Sequence, residues 1–413
     1  MALSLIVDSI TFESDADIYY ARIPNFGQNG VTYLRSPTEA ARHHFNPPQV
    51  RPAFGHPHWV RPDYLATHPK VSWPAVFVRN GAPMVEAVFF AKDGNTKLNQ
   101  QLNMKAVWAN GNDATDEVAV NFVNGIGTGL FAMENLPNTV QVMDGVSLRW
   151  QVEQGNGNFA TEDTSGPHSF FITYDFPQFG TDFYFETYDW ACRWAAGAGT
   201  PNQVLAGIWG EFSPVQQQHA SGLVYWKNHH SKVAPAQDVP TAIQYQDHGL
   251  NERRASSCIV FDRLFMDCLG VHGIPSYEIM LEADQNFFIN GGNLCMATGW
   301  EATTVVAHGN ANAPDHWGSH WVTLLPMANG NYYLYDPSYG LAAYDCGNDP
   351  ANTGSPLAVG DTIDIPTGYE VAAVVAFDCL EVTNLAPLTT AATQVASGSP
   401  NQPKLKGTVL RRV

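Results

Sequence analysis

The sequence predicts an α+β protein in which β structure comes first. Three observations carry this reading. Short apolar-alternating runs, punctuated by Asn-Gly and Asp-Gly pairs, fill residues 71–178. Helical spacing of apolar residues begins near residue 180 and returns over 258–270. Strand patterns then resume, with a hairpin signal at Asn329-Gly330. At 413 residues the chain has room for two or three domains.

Residues 1–70 read as an N-terminal extension. It opens with a strand-like segment at 4–12 and continues into a Pro- and His-rich run at 51–59, which cannot be regular helix. Its aromatic residues give that run something to bury, so it reads as an ordered surface wrap. Residues 71–178 hold seven short strand candidates, at 75–78, 84–90, 103–108, 117–122, 140–142, 146–152 and 170–174. Seven strands at this spacing suggest an immunoglobulin-like β-sandwich. No cysteine falls in the region, so it lacks an intersheet disulfide. A sandwich of this kind commonly serves as a spacer or recognition module.

Residues 179–384 form the mixed part. The segment 183–196 is aromatic-rich and ends at Gly197. Thr200-Pro201-Asn202-Gln203 has a capping-box pattern with proline at the first helical position, ahead of the apolar face Val204, Leu205, Ile208 and Trp209. Two further strands are expected at 362–365 and 371–377. Residues 385–413, rich in Thr, Ala, Ser, Gly and Pro, read as an irregular tail.

Chemistry enters at Cys258. Val260, Phe261, Leu264, Phe265, Cys268 and Leu269 mark the buried face of a helix, Ser256 or Ser257 is its N-cap, and Gly270 stops it. Cys258 thus sits in the first turn, where free backbone N–H groups and the helix dipole favour a thiolate and could receive an oxyanion. Cys268, mid-helix on the buried face, reads as a packed thiol. Further on, His320 opens a strand, Asn329-Gly330 turns the chain, and Asp336-Pro337 closes the partner strand. In an antiparallel pair the start of one strand lies beside the end of the next, so His320 and Asp336 can share a hydrogen bond. The carboxylate would then orient the imidazole as it takes the proton of a thiol.

These residues resemble the transglutaminase-like superfamily, whose core is related to papain-type cysteine peptidases. The matching pieces are Cys258 at a helix start, Leu269-Gly270-Val271-His272-Gly273-Ile274-Pro275 after it, His320 with adjacent Trp321, and Asp336-Pro337-Ser338. The likeness spans roughly residues 185 to 340. It departs from the family pattern in the Ser256-Ser257 pair ahead of the cysteine and in Trp321, which follows His320 directly where the family's tryptophan usually lies two residues on. The resemblance implies a transglutaminase-like (papain-like) core behind the β-sandwich, with Cys258 as nucleophile, His320 as base and Asp336 as its orienter. In such folds a glutamine or tryptophan ahead of the cysteine often assists the oxyanion. Gln244, Gln246, Trp209 and Trp226 are the candidates, with Gln246 the one carried forward.

Composition narrows the partners. The formal net charge is -18, from 21 basic and 39 acidic residues, and no basic stripe stands ready to neutralise phosphates, which argues against nucleic acid and against docking to an anionic membrane. No stretch is apolar enough to span a bilayer. Residues 1–8 lack the charged start and apolar run of a secretory signal, which leaves the compartment open between the cytoplasm and export without a visible signal peptide. The six cysteines are scattered without Cys-x-x-Cys spacing, so free thiols are the default, with a Cys295–Cys346 or Cys346–Cys379 bridge as alternatives. His56-x-His58, His229-His230 and His316-x-x-x-His320 are the candidate metal pairs. The last enters a strand, so its two rings would not share a helix face, and no metal or other cofactor is expected. The expected activity is acyl transfer on peptide or side-chain amides of a protein or peptide substrate. Hydrolysis is favoured over cross-linking as the default fate of an acyl-enzyme, and the alternative is an inactive scaffold or binding protein.

Overall fold

The computed structural model describes residues 3–16, 18, 22–24, 31–33, 58–60, 74–178, 183–214, 224–225, 255–283, 286–289, 293–301, 316–348, 357–373, 376–381 and 405–413. The fold is mixed α+β, mostly strands with few helices, and its sheets are barrel-like. The chain divides into two compact units, Met1–Leu205 with Val271–Gly273, and Ala206–Gly270 with Ile274–Val413.

The first unit is built on one ten-stranded sheet. Its order is His58–Val60, Leu3–Phe12, Met84–Asp93, Ile126–Ala132, Val118–Val123, Gln101–Val107, Gln141–Glu153, Phe159–Thr173 and Ala75–Val78, with Thr96–Lys97 hung on Met84–Asp93. The sheet curls until its ends approach. Val7 N–H donates to Asp163 at 2.7 Å, Asp15 N–H donates to the Val76 carbonyl at 2.8 Å, and the Asp15 carboxylate accepts from Val78 N–H at 2.7 Å. Inside lies an aromatic core. The Trp150 ring meets Phe89 and Phe131 edge-on, each at 5.0 Å between centroids, and Phe12 meets Phe170 at 5.0 Å. Such edge contacts add about 0.5–1.5 kcal/mol each beyond the area they bury.

Several sequence expectations change here. The segment at the N-terminus is a full member of the sheet: Leu3–Phe12 pairs along Met84–Asp93. The strands expected at 140–142 and 146–152 are one strand, Gln141–Glu153, whose register shifts between Met143 and Val146. Ile126–Ala132 is a further strand that lacks the apolar alternation of a strand, because two of its three inward positions, Gly127 and Gly129, are glycines and only Phe131 is apolar and large. A Cβ on Gly129 would come within 2.5 Å of the Phe131 ring, and one on Gly127 within 2.9 Å of Phe122 and Val120, so bare backbone leaves the space those rings fill. The run at 51–59 lies outside the described residues except for its last two positions, in the short strand His58–Val60.

Two helices follow. Phe185–Trp194 ends before Gly197, and Pro201–Phe212 is capped by Thr200, whose Oγ1 accepts from Gln203 N–H at 3.3 Å. The Gln203 side chain reaches back to Gly199 N–H at 2.9 Å, one residue further than a standard capping box.

The second unit centres on a six-stranded antiparallel sheet in the order Leu341–Asp345, Tyr332–Asp336, His320–Pro326, Tyr277–Ala283, Leu405–Arg412 and Thr362–Asp364. The helix Cys258–Gly270 packs on His320–Pro326 and Tyr277–Ala283. A second sheet joins Asn286–Ile289, Asn293–Glu301, His316–Trp317 and Ala376–Glu381. The irregular tail expected over 385–413 is corrected at its end: Leu405–Arg412 is an interior strand, with Leu405, Gly407 and Val409 buried in alternation. The strand expected at 371–377 is also corrected. Thr367–Ala373 is a helix that buries Tyr369, Glu370 and Ala373, and the strand begins later, at Ala376–Glu381.

Candidate active site

The helix Cys258–Gly270 starts where the sequence predicts. Ser257 precedes it, and its carbonyl accepts from the N–H groups of Val260 at 3.1 Å and Phe261 at 3.4 Å. Just upstream, Ala255–Ser256 pairs in parallel with Val224–Tyr225, which sets Tyr225 beside Ser256 at the entry to the helix. Cys258 is 6% exposed.

The hairpin supplies the other two groups. In its register Thr323 faces Tyr335 and Leu324 faces Leu334. Continuing that register sets Asp336 opposite Val322, so His320 is its diagonal neighbour on the same face, a separation long side chains bridge. They do bridge it: His320 Nε2 lies 2.9 Å from Asp336 Oδ2, with both side chains fully buried. Burial works against the imidazolium. The charge and hydrogen bond of Asp336, then the hydrogen bond and charge of Cys258, outweigh burial and raise the His320 pKa to about 10. Since Asp336 occupies Nε2, the nitrogen left for the thiol is Nδ1.

Asp336 is fixed from every side. Its Oδ1 accepts from Ser338 N–H at 3.0 Å and Tyr339 N–H at 3.2 Å, an Asx-type turn over Pro337. Its Oδ2 accepts a second donor, the Tyr369 hydroxyl, at 2.9 Å. The Tyr339 ring lies 5.2 Å from the His320 ring and 5.9 Å from Tyr225. Burial, then the neighbouring Tyr225, Asp336 and Cys258, hold the Tyr339 hydroxyl well above the usual phenol range, so it stays neutral.

One turn along the helix from Cys258, Asp262 is fully buried. Thr323 donates its hydroxyl to Asp262 Oδ1, and among the described residues Oδ2 has no hydrogen-bond partner. Burial, with the nearby Glu278, pushes this carboxyl well above the carboxylate range, so a neutral acid sits within electrostatic reach of Cys258 and Asp336. Glu278 itself is held by Arg263, Nε to Oε1 at 2.8 Å.

The structure therefore brings His320 and Asp336 together, with Cys258 near enough to bear on the His320 charge. Gln246, Gln244 and Trp226 lie outside the described residues. Trp209 packs as a core aromatic against Phe265 at 5.4 Å and Tyr335 at 5.1 Å. Of the candidate metal-pair histidines, the side chains of His56, His58, His229, His230 and His316 lie outside the described residues. Among the described residues no group of three His, Cys, Asp or Glu could hold a metal ion, and no helix is long and apolar enough to cross a membrane. Among the described residues no disulfide joins Cys192, Cys258 or Cys346, and the side chains of Cys295 and Cys379 lie outside the described residues. Sequence reasoning missed Tyr369, Tyr339, Tyr225 and Asp262. Asp262 lies four residues after Cys258 on a face otherwise apolar, and that anomaly could have marked it. The tyrosines carried no comparable signal.

Compared with models of known protein families and with curated proteins, the chain matches none.

Proposed function

We propose that this chain is a thiol-dependent acyl-transfer enzyme working through Cys258, His320 and Asp336. The observation that carries the reading is the buried pair of His320 and Asp336, Nε2 to Oδ2 at 2.9 Å, with Cys258 at the helix start close enough to help raise the His320 pKa. His320 Nδ1 takes the proton of the Cys258 thiol, and Asp336 supports the imidazolium that forms. Sulfur attacks an amide carbonyl, and the carbonyl oxygen takes up the negative charge. Backbone N–H groups at the start of the Cys258–Gly270 helix are the donors to that oxygen. Collapse breaks the C–N bond, the imidazolium gives its proton to the departing amine, and a thioester remains on Cys258. Water activated by His320 then releases the acid and restores the thiol. An amine in place of water would give cross-linking, and hydrolysis is the fate we favour.

The finer fold reading goes with this function. A helix-start cysteine packed on an antiparallel sheet that presents His320 and Asp336 supports a transglutaminase-like, papain-like core. Residues 71–178, expected as an immunoglobulin-like sandwich and folded as part of one curled ten-stranded sheet, would serve as a spacer or recognition module.

A second reading is a scaffold that keeps the triad without turnover. It draws support from burial: Cys258 is 6% exposed, and His320 and Asp336 are 0% exposed. Labelling with iodoacetamide at mildly acidic pH separates the two, with the modified residue located by mass spectrometry and Cys258→Ala as control. Labelling of Cys258 faster than a simple thiol supports the enzyme. Labelling no faster than a simple thiol supports the scaffold.

A further inference from the structure

We propose that Tyr369 is a positioning residue for the Cys258–His320–Asp336 relay, fixing the Asp336 carboxylate in the plane that meets His320 and sharing its charge. The inference rests on the enzyme reading and extends it to a residue that no spacing pattern marks.

The argument is geometric. Tyr369 is fully buried, and its hydroxyl meets Asp336 Oδ2 at 2.9 Å. That oxygen is the one His320 Nε2 approaches, also at 2.9 Å. The other oxygen, Oδ1, is held by the N–H groups of Ser338 and Tyr339. Two backbone donors on one oxygen and two side-chain donors on the other leave the carboxylate no freedom to rotate. Tyr369 is itself held from two sides. It sits on the short helix Thr367–Ala373, and its ring meets Tyr344 edge-on at 5.5 Å. The next residue, Glu370, accepts from Leu405 N–H at 2.7 Å, which ties this helix to the strand Leu405–Arg412. That strand pairs with Tyr277–Ala283, the neighbour of the histidine strand. The C-terminal strand thus braces the acid of the relay through Glu370 and Tyr369.

A bare packing role for Tyr369 would need only the ring. A positioning role needs the hydroxyl, because the hydroxyl competes with the imidazole for one oxygen. Without it, His320 becomes the sole side-chain donor to Oδ2, and the imidazolium holds its proton more tightly. Among the described residues, the other titratable groups bearing on the pair are Cys258 and Asp262 from the helix, together with Tyr339 and Tyr344.

The test compares the full chain with Tyr369→Phe by two readouts. The first is the proton resonance of the His320 Nε2–H bonded to Asp336, assigned by its loss in Asp336→Asn. The second is the pH profile of Cys258 alkylation by iodoacetamide. The expected result is a His320 resonance moved to lower field and an alkaline limb moved upward by about one pH unit, at unchanged circular dichroism. A fluorotyrosine placed at 369 keeps the ring and strengthens the donor, and should move both readouts the opposite way. It also serves if the phenylalanine variant folds poorly. An unmoved resonance in both variants overturns the positioning role. Ordinary Cys258 reactivity in the unaltered protein would instead overturn the enzyme reading, and the resonance would still decide the role of Tyr369.

Discussion

Arg263 and Glu278 form an ion pair, Nε to Oε1 at 2.8 Å, that ties the cysteine helix to the strand Tyr277–Ala283. Glu278 is almost wholly buried, while Arg263 keeps some contact with water at 28% exposure. Removing the guanidinium strands a carboxylate in the interior. Arg263→Met should therefore cost about 3 kcal/mol in urea unfolding, and adding Glu278→Gln should return part of that loss. A cost within experimental error for the single variant would contradict this account of the pair.

Asp262 behaves as a neutral acid under the helix, so an amide of the same shape should replace it cheaply. Asp262→Asn should change stability near pH 4 by less than about 1 kcal/mol. The sign of the pH effect follows from proton binding. The unfolded chain releases this proton near pH ~3.9, while the folded protein keeps it to a much higher pH. The folded state then binds more protons, so Asp262 lowers stability as pH rises above about 4. The asparagine variant should gain on the natural protein across that window in thermal melts. Parallel pH curves would contradict the assignment.

His320 sets the alkaline side. Its folded pKa is raised to about 10. An unfolded histidine titrates near ~6.5, so the stabilisation from His320 is complete below that pH and is lost as pH climbs through its folded value. His320→Gln should be less stable at neutral pH and should show a flatter decline toward high pH. His272 does the reverse. Burial drives its pKa down to about 4, against the opposing bond to the Ala191 carbonyl. Its Nδ1 accepts from Tyr174 N–H at 3.3 Å, so its Nε2–H donates to Ala191 at 3.1 Å. It must stay neutral in the fold, and stability should fall as pH drops from about 6.5 toward 4. His272→Gln should blunt that acid loss.

The C-terminal strand can be tested at Gly407. A Cβ there would come within 2.5 Å of Ile363 Cγ1 and 2.8 Å of Ile279 Cγ2, on the two strands flanking Leu405–Arg412. Gly407→Ala should destabilise the protein by about 1–3 kcal/mol in urea unfolding. A neutral effect would mean that this segment does not lie inside the sheet.

What the sequence made legible was local. The helix from Cys258 announced itself by apolar spacing with serine before and glycine after, and the hairpin by Asn329-Gly330 between two apolar runs. Because that turn fixes register, the meeting of His320 with Asp336 could be read from spacing. What stayed hidden depended on distant partners. Ile126–Ala132 is too glycine-rich to read as a strand locally, because its glycines answer to the space that Phe122 and Phe131 fill. Leu405–Arg412 carried the alternation of a strand, but it sat at the end of a polar, proline-containing stretch that outweighed it. Tyr369 reaches the site across 33 residues of chain, a contact no local pattern encodes.

The central claim is that Cys258 accepts an acyl group with the help of His320. The most direct measurement is intact-mass and peptide analysis of the protein after brief exposure to p-nitrophenyl acetate, with His320→Gln alongside. The account predicts one acetyl group on Cys258 that forms and then decays, and that forms far more slowly in the variant. Acetylation spread over lysines and other thiols, or equally fast on Cys258 without the imidazole, would contradict it.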